Sequence, residues 1–138
     1  MIAYLDSSVL LRALLNEEGK LKEFSKLERP ISSKLLKTEC LRALERLKLT
    51  KNISEDNYVK SIEQLYLGLD SIEFVEVSDQ ILNRAGGSIS FPLGTLGAIH
   101  LISATYWRET TGIDLIFLTH DVLLGKAAKA SGFHVLGC

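Results

Sequence analysis

Met1-Ile2-Ala3-Tyr4-Leu5-Asp6-Ser7-Ser8 opens the chain and decides the fold. Ile2 to Leu5 form a largely apolar run that ends on an acid, followed at once by two hydroxyl residues. A short apolar run closed in this way predicts a buried strand passing into a helix, with Ser7 or Ser8 as the N-cap. Asp6 then stands at the carboxyl end of a central strand, the edge of an open α/β sheet where ligands bind. An acid beside a helix start is equally good electrostatics for the helix dipole. Asp6 reads as a site residue only if other acids converge on the same edge.

Outward from that stretch, strand and helix patterns alternate. Ser8–Asn16 predicts a short helix, with Glu17-Glu18-Gly19 as its break. Lys20–Glu28 predicts a second helical stretch that Pro30 ends, and Ile31-Ser32 a brief strand. Ser33 then opens a long helix through Leu49, whose Leu36, Cys40, Ala43, Leu44 and Leu47 keep the helical period. A polar start at Ser54 precedes a helix over Tyr58–Leu69, and Ile72–Val77 alternates apolar and acidic residues like a half-exposed strand near an edge. Ser78 caps a helix ending at Gly86-Gly87. After a loop over Ser88–Gly94, Thr95 starts a helix that is apolar nearly all round and therefore buried on most sides. Asp114–Leu118 is a strand and Thr119-His120-Asp121 its turn. Val122–Ser131 is a helix closed by Gly132, and Val135-Leu136 a last strand. Strands alternating with helices from end to end predict an α/β fold, a mostly parallel sheet covered on both faces. No repeat, low-complexity tract or linker divides the chain, so residues 1–138 are expected to form a single domain.

The bulk numbers narrow the function classes. The 138 residues are 46% hydrophobic and 24% charged, an ordinary globular composition. With a formal net charge of -1, any attraction to nucleic acid must come from a local cluster of Lys and Arg. Cys40 and Cys138 form neither a disulfide framework nor a metal-ligand spacing. No apolar run reaches the roughly 18 residues of a membrane span, and the first residues lack a basic leader with a cleavage site. A cytoplasmic protein without membrane contact is expected.

Two further acids bear on the edge marked by Asp6. Glu39 falls inside the apolar arc of its helix, between Leu35 and Ala43, where Glu is rarely found without a partner. The plain alternative is an intrahelical pair with Arg42, worth a few tenths of a kcal/mol. Asp121 repeats the situation of Asp6 at the end of a second strand, with an N-cap as its plain alternative. Magnitude constrains what three convergent carboxylates imply. Two charges about 4 Å apart repel by roughly 4 kcal/mol at an effective dielectric near 20, against a total stability of about 5–15 kcal/mol. Either some acids hold a proton or a divalent cation sits among them. Oxygen ligands without Cys or His spacing point to Mg²⁺ or Mn²⁺, ions that polarise phosphoryl oxygens and activate water.

Four blocks, in order, resemble one family. Ile2-Ala3-Tyr4-Leu5-Asp6-Ser7-Ser8 is similar to the opening of PIN-domain ribonucleases, specifically VapC-type toxins of toxin–antitoxin pairs. Thr38-Glu39-Cys40-Leu41-Arg42-Ala43-Leu44 resembles the second acidic helix of that family. Leu93-Gly94-Thr95-Leu96-Gly97-Ala98-Ile99-His100-Leu101 resembles the start of its central helix, and Thr119-His120-Asp121 the end of its late strand. The blocks are individually short, and they span nearly the whole chain. The resemblance implies a PIN-like three-layer α/β/α fold and an endoribonuclease using Mg²⁺ or Mn²⁺. Asp6, Glu39 and Asp121 would be the catalytic and metal-binding acids. It further implies a cognate antitoxin and a homodimer. The departure is Gly97, where the family pattern has a metal-binding aspartate, so weakened or lost catalysis is expected.

Ser7, Ser8 and Thr119 are accessory candidates that can orient water or phosphate, with helix capping as the alternative for the serines. Arg12, Arg42 and Arg46 are candidate contacts to RNA phosphates, or simply solvated helix faces. His100 shares a helix face with Gly97 but reads first as a hydrogen-bonded core histidine, His120 and His134 as turn or surface residues, and Tyr106-Trp107 as core packing. Two rivals to a nuclease stand: a catalytically silent protein of the same fold that binds antitoxin or RNA, and a Mg²⁺ phosphohydrolase or receiver-like domain. The latter lacks its second acid near Asp6 (Ser8 stands there), and neither a Gly-rich phosphate loop nor a Walker lysine is present.

Overall fold

In the computed structural model, which describes residues 1–17 and 22–138, five strands form one sheet. They are β1 (Ile2–Leu5), β2 (Arg29–Ser33), β3 (Glu73–Val75), β4 (Ile116–Leu118) and β5 (His134–Leu136). Their order is β3-β2-β1-β4-β5 and every pairing is parallel. Along β1 the side chains alternate between two cores, as the period of two requires. Ala3 and Leu5 pack with Val9, Leu36, Cys40 and Leu65, whereas Tyr4 packs with Ile31, Ile99 and Phe117 on the other face. Helices α1 (Ser7–Leu14), α2 (Leu35–Leu49) and α3 (Glu55–Leu69) cover the first face. Helices α4 (Asp79–Ala85), α5 (Thr95–Thr111) and α6 (Val122–Ala130) cover the second. The three-layer α/β/α arrangement expected from the sequence is the one observed.

The strand order reverses at β1. The chain builds outward through β2 and β3, then returns to the other side of β1 for β4 and β5. Helix α1 leaves β1 toward one face and α6 leaves β4 toward the other, which opens a crevice at the carboxyl ends of these neighbouring strands.

Several element boundaries differ from the sequence expectation. The N-cap of α1 is Asp6, not Ser7 or Ser8: its carboxylate accepts from the Ser8 and Val9 amides. Pro30 does not end a helix; it lies inside β2, opposite Ala3. The Arg29 amide bonds Met1 O across to β1, so the next nitrogen, that of Pro30, faces the β3 side before β3 begins opposite Ile31. No ladder bond is lost there. The helical stretch before it is a 3-10 turn over Lys22–Lys26; Lys20 lies outside the described residues, as do Glu18 and Gly19 of the expected break. Ser33 is the last residue of β2 rather than the first of α2, and its hydroxyl accepts from the Leu35 amide at 3.2 Å. Trp107 is core, as expected, with its indole N–H donating to Glu73 at 3.0 Å.

Gly137 follows β5 with φ +108°, and a Cβ there would run into the Thr119 carbonyl. The β4–α6 turn is therefore packed on backbone that only glycine allows. Gly137→Ala should destabilise the protein by about 2 kcal/mol or more. Gly68, inside α3 with open space around an added Cβ, should respond oppositely, Gly68→Ala adding up to about 1 kcal/mol. Denaturant midpoints on opposite sides of the parent check both; a Gly137→Ala midpoint equal to the parent would contradict the packing described.

Candidate active site at the carboxyl edge of β1 and β4

The buried carboxylate of Asp6 joins two turns. Its Oδ1 accepts from the Ser8 hydroxyl at 2.6 Å and from the Ser8 and Val9 amides at 3.1 and 3.4 Å. Its Oδ2 accepts from the Thr119 hydroxyl at 2.7 Å. Thr119 Oγ1 in turn accepts from the Asp121 amide at 3.0 Å, and Ser8 Oγ accepts from the His120 amide at 2.9 Å. The β1–α1 turn and the β4–α6 turn are thus closed into a ring of hydrogen bonds across the crevice. Asp6 is 5% exposed. Burial pushes its carboxyl above the ordinary value, against the opposing pull of the bonds from Ser8 and Thr119.

Glu39 reaches the same neighbourhood from α2. Its Oε2 accepts from Ser7 Oγ at 3.2 Å, and its Oε1 lies 2.6 Å from Nε2 of His100 on α5. The intrahelical alternative is excluded, because Arg42 bonds Glu45 at 2.7 Å instead. The charges of Glu39 and Asp6 both reach the adjacent Cys40 thiol, which burial, followed by these two charges, pushes up to about 12. Cys40 is therefore an inert core thiol. Asp121 is exposed and its Oδ1 caps α6 by accepting from the Leu124 amide at 3.0 Å.

Donor chemistry and geometry diverge where a metal is concerned. Carboxylate oxygens suit Mg²⁺ or Mn²⁺, yet each of these acids is held by donors of the chain itself. Among the described residues no three His, Cys, Asp or Glu side chains gather as a metal-holding group. The residues as arranged do not form a cation cage. Gly97, at the third position of α5, is the vacancy the sequence pointed to. A Cβ there meets Leu93 and Leu124 side chains at 3.9 Å or more, so a Cβ at this position is accommodated without moving backbone.

Full-length comparisons agree with this architecture. No family model matches the chain. The crystal structure of PAE2754 from Pyrobaculum aerophilum superposes with a TM-score of 0.61 at 21% identity, covering 98% of this chain and 83% of that one; this likeness concerns the fold. Over 137 residues, 96% of this chain and 95% of the relative, the sequence is 32% identical to Ribonuclease VapC46 of Mycobacterium tuberculosis (strain ATCC 25618 / H37Rv). The chain belongs to the VapC family of PIN-domain ribonuclease toxins.

The other candidate residues of this VapC-family chain have identifiable surroundings. Of the three candidate arginines, Arg12 sits 3.9 Å from Glu17, Arg42 pairs with Glu45, and Arg46 is exposed one turn farther along α2. Sequence reasoning ranked Thr119 as accessory, whereas it is fully buried and bridges Asp6 to Asp121. His100 is the buried, hydrogen-bonded histidine the sequence suggested, and the structure adds the identity of its partners, Tyr4 and Glu39. No described helix is long and apolar enough to cross a membrane.

Asp6→Asn keeps an N-cap acceptor and removes the buried charge. Because the folded-state carboxyl is raised, the folded protein binds a proton more readily than the unfolded chain. The stability of the parent therefore falls as pH rises from the ordinary carboxyl range, about 4, through that raised value. Asp6→Asn should unfold at the same or higher temperature than the parent at pH 7, the gap closing as pH falls toward 4. Thermal unfolding at both pH values checks this; a variant less stable at pH 7 than at pH 4, relative to the parent, would contradict it.

Proposed function

We propose that this chain is the toxin of a toxin–antitoxin pair, an endoribonuclease of the Mg²⁺- or Mn²⁺-dependent kind whose cleavage is weak or lost at this sequence. Family membership carries the reading, and the convergence of Asp6, Glu39 and the Thr119-His120-Asp121 turn on one crevice supports it. Impairment is supported by Gly97 together with the absence of a gathered set of ligands among the described residues. Asp6, Glu39 and Asp121 are the residues assigned to metal and catalysis, with Ser7, Ser8 and Thr119 holding them. RNA phosphates are assigned to Arg12, Arg42 and Arg46, of which Arg46 has the freest side chain. The partners proposed are RNA, a cognate antitoxin and a second copy of the chain, in the cytoplasm.

The same two observations favour a second reading, a silent member that binds antitoxin or RNA without cutting. Physically, a carboxylate at position 97 would sit in the first turn of α5, where the helix dipole favours it and where glycine costs up to about 1 kcal/mol relative to alanine. Local stability therefore does not explain the glycine.

Cleavage of tRNA and rRNA by the chain and by Gly97→Asp, each with Mg²⁺, Mn²⁺ or chelator, separates the readings. Gly97→Asp should cleave at least about tenfold faster, with chelator abolishing the gain. Equal high rates would show that position 97 is irrelevant to the chemistry. No cleavage by either form, with Mn²⁺ calorimetry flat for both, would leave the binding protein as the function.

A further inference from the structure

Three elements end on one carboxylate. Glu39 comes from α2, Ser7 from the start of α1, and His100 from α5, one turn beyond Gly97 on the same helix face. Behind the imidazole, Nδ1 lies 2.7 Å from the Tyr4 hydroxyl on β1. Tyr4 is wholly buried and His100 is 2% exposed, so water does not compete for either bond. Tyr4 is itself fixed, its ring stacked on Phe117 of β4 with centroids 5.2 Å apart and lying edge-on to His100 at 74°.

Burial keeps the Tyr4 phenol protonated, so its O–H has a proton to give, and a carboxylate at Glu39 only accepts. With a neutral ring, Tyr4 donates to Nδ1 and Nε2–H donates to Glu39 Oε1. In that arrangement both ring nitrogens and the phenol proton have partners. Stability does not ask for it: a buried polar pair replaced by packed apolar groups is often neutral or stabilising, and His100 sits between Ile99 and Leu101 in an otherwise apolar stretch. What the relay does supply is direction. Donors at both oxygens, from α5 and from α1, hold a side chain that would otherwise sample several rotamers.

We infer that His100, oriented by Tyr4, is the positioning residue that aims the Glu39 carboxylate into the crevice, so that α5 of this chain addresses the site through an imidazole. The inference rests on the nuclease reading for its catalytic consequence, not for its geometry.

The test has one arm for each. In the full chain labelled with ¹⁵N-histidine, long-range proton–nitrogen correlation reads which nitrogen of His100 carries the proton. The expected state is Nε2–H in the parent, with Tyr4→Phe releasing the ring to mixed tautomers. A parent with Nδ1–H, or a Tyr4→Phe spectrum identical to it, would overturn the relay. In the Gly97→Asp form, His100→Leu should lower kcat for RNA cleavage about tenfold or more with KM within about twofold, while remaining folded by thermal unfolding. His100→Gln, whose amide N–H can still donate to Glu39, should restore most of the rate. Full activity in His100→Leu, or no rescue by His100→Gln, would reduce His100 to a packing residue. If Gly97→Asp cleaves no RNA, the nuclease reading fails by itself, and the tautomer of His100 still decides the relay.

Discussion

A single hydrogen bond between β1 and β4 organises the rest: the Thr119 hydroxyl donating to the carboxylate of Asp6. Both groups are buried at the point where the strand order reverses. An ionised carboxylate in such a place is costly unless its oxygens are saturated with donors. Here two amides and a hydroxyl of the first helical turn bind one oxygen, and Thr119 binds the other. The requirement to satisfy one charge therefore sets the geometry of two turns, and through Thr119 it also sets where Asp121 stands. The glycine at 137 belongs to the same construction, because Thr119 can occupy its position only if nothing projects from residue 137.

The edge of the sheet carries a tension between folding and chemistry. Burial raises the carboxyl of Asp6, and burial followed by the charges of Glu39 and Asp6 raises the thiol of Cys40. A bound cation is one relief. The chain shows another: each acid is individually matched, Asp6 to hydroxyls and amides, Glu39 to His100 and Ser7, Asp121 to the start of α6. In this arrangement α5 meets the Glu39 carboxylate with the imidazole of His100. The VapC family resemblance and the local electrostatics are thus compatible with a fold that holds together whether or not it cuts RNA.

The apolar and polar halves of the structure differ in how local their causes are. Strand β1 alternates between two cores because Ala3, Tyr4 and Leu5 must point to opposite faces. Helix α5 is buried because its residues are apolar on most sides. Edge strand β3 tolerates Glu73 because one of its faces meets water and Arg29, with which it pairs at 2.9 Å. The first two need no knowledge of a distant residue; the Glu73–Arg29 pair, 44 residues apart, does.

The sequence by itself determined the alternation of strands and helices, the parallel sheet, and the placement of Asp6 and Asp121 at strand ends, since periodicity and capping act over a few residues. Gly97 was also legible, as a departure from a short pattern. Capping detail was not: a carboxylate and two hydroxyls in a row compete for the same amides, and only the packed turn shows that Asp6 takes them. The partner of each acid was decided by tertiary structure alone. Ser7 and Glu39 are 32 residues apart, Glu39 and His100 are 61, and Asp6 and Thr119 are 113. Hydrogen bonds of about 3 Å between such positions exist only once the sheet order brings β1, α2, α5 and β4 together, and no local pattern of residues encodes that order.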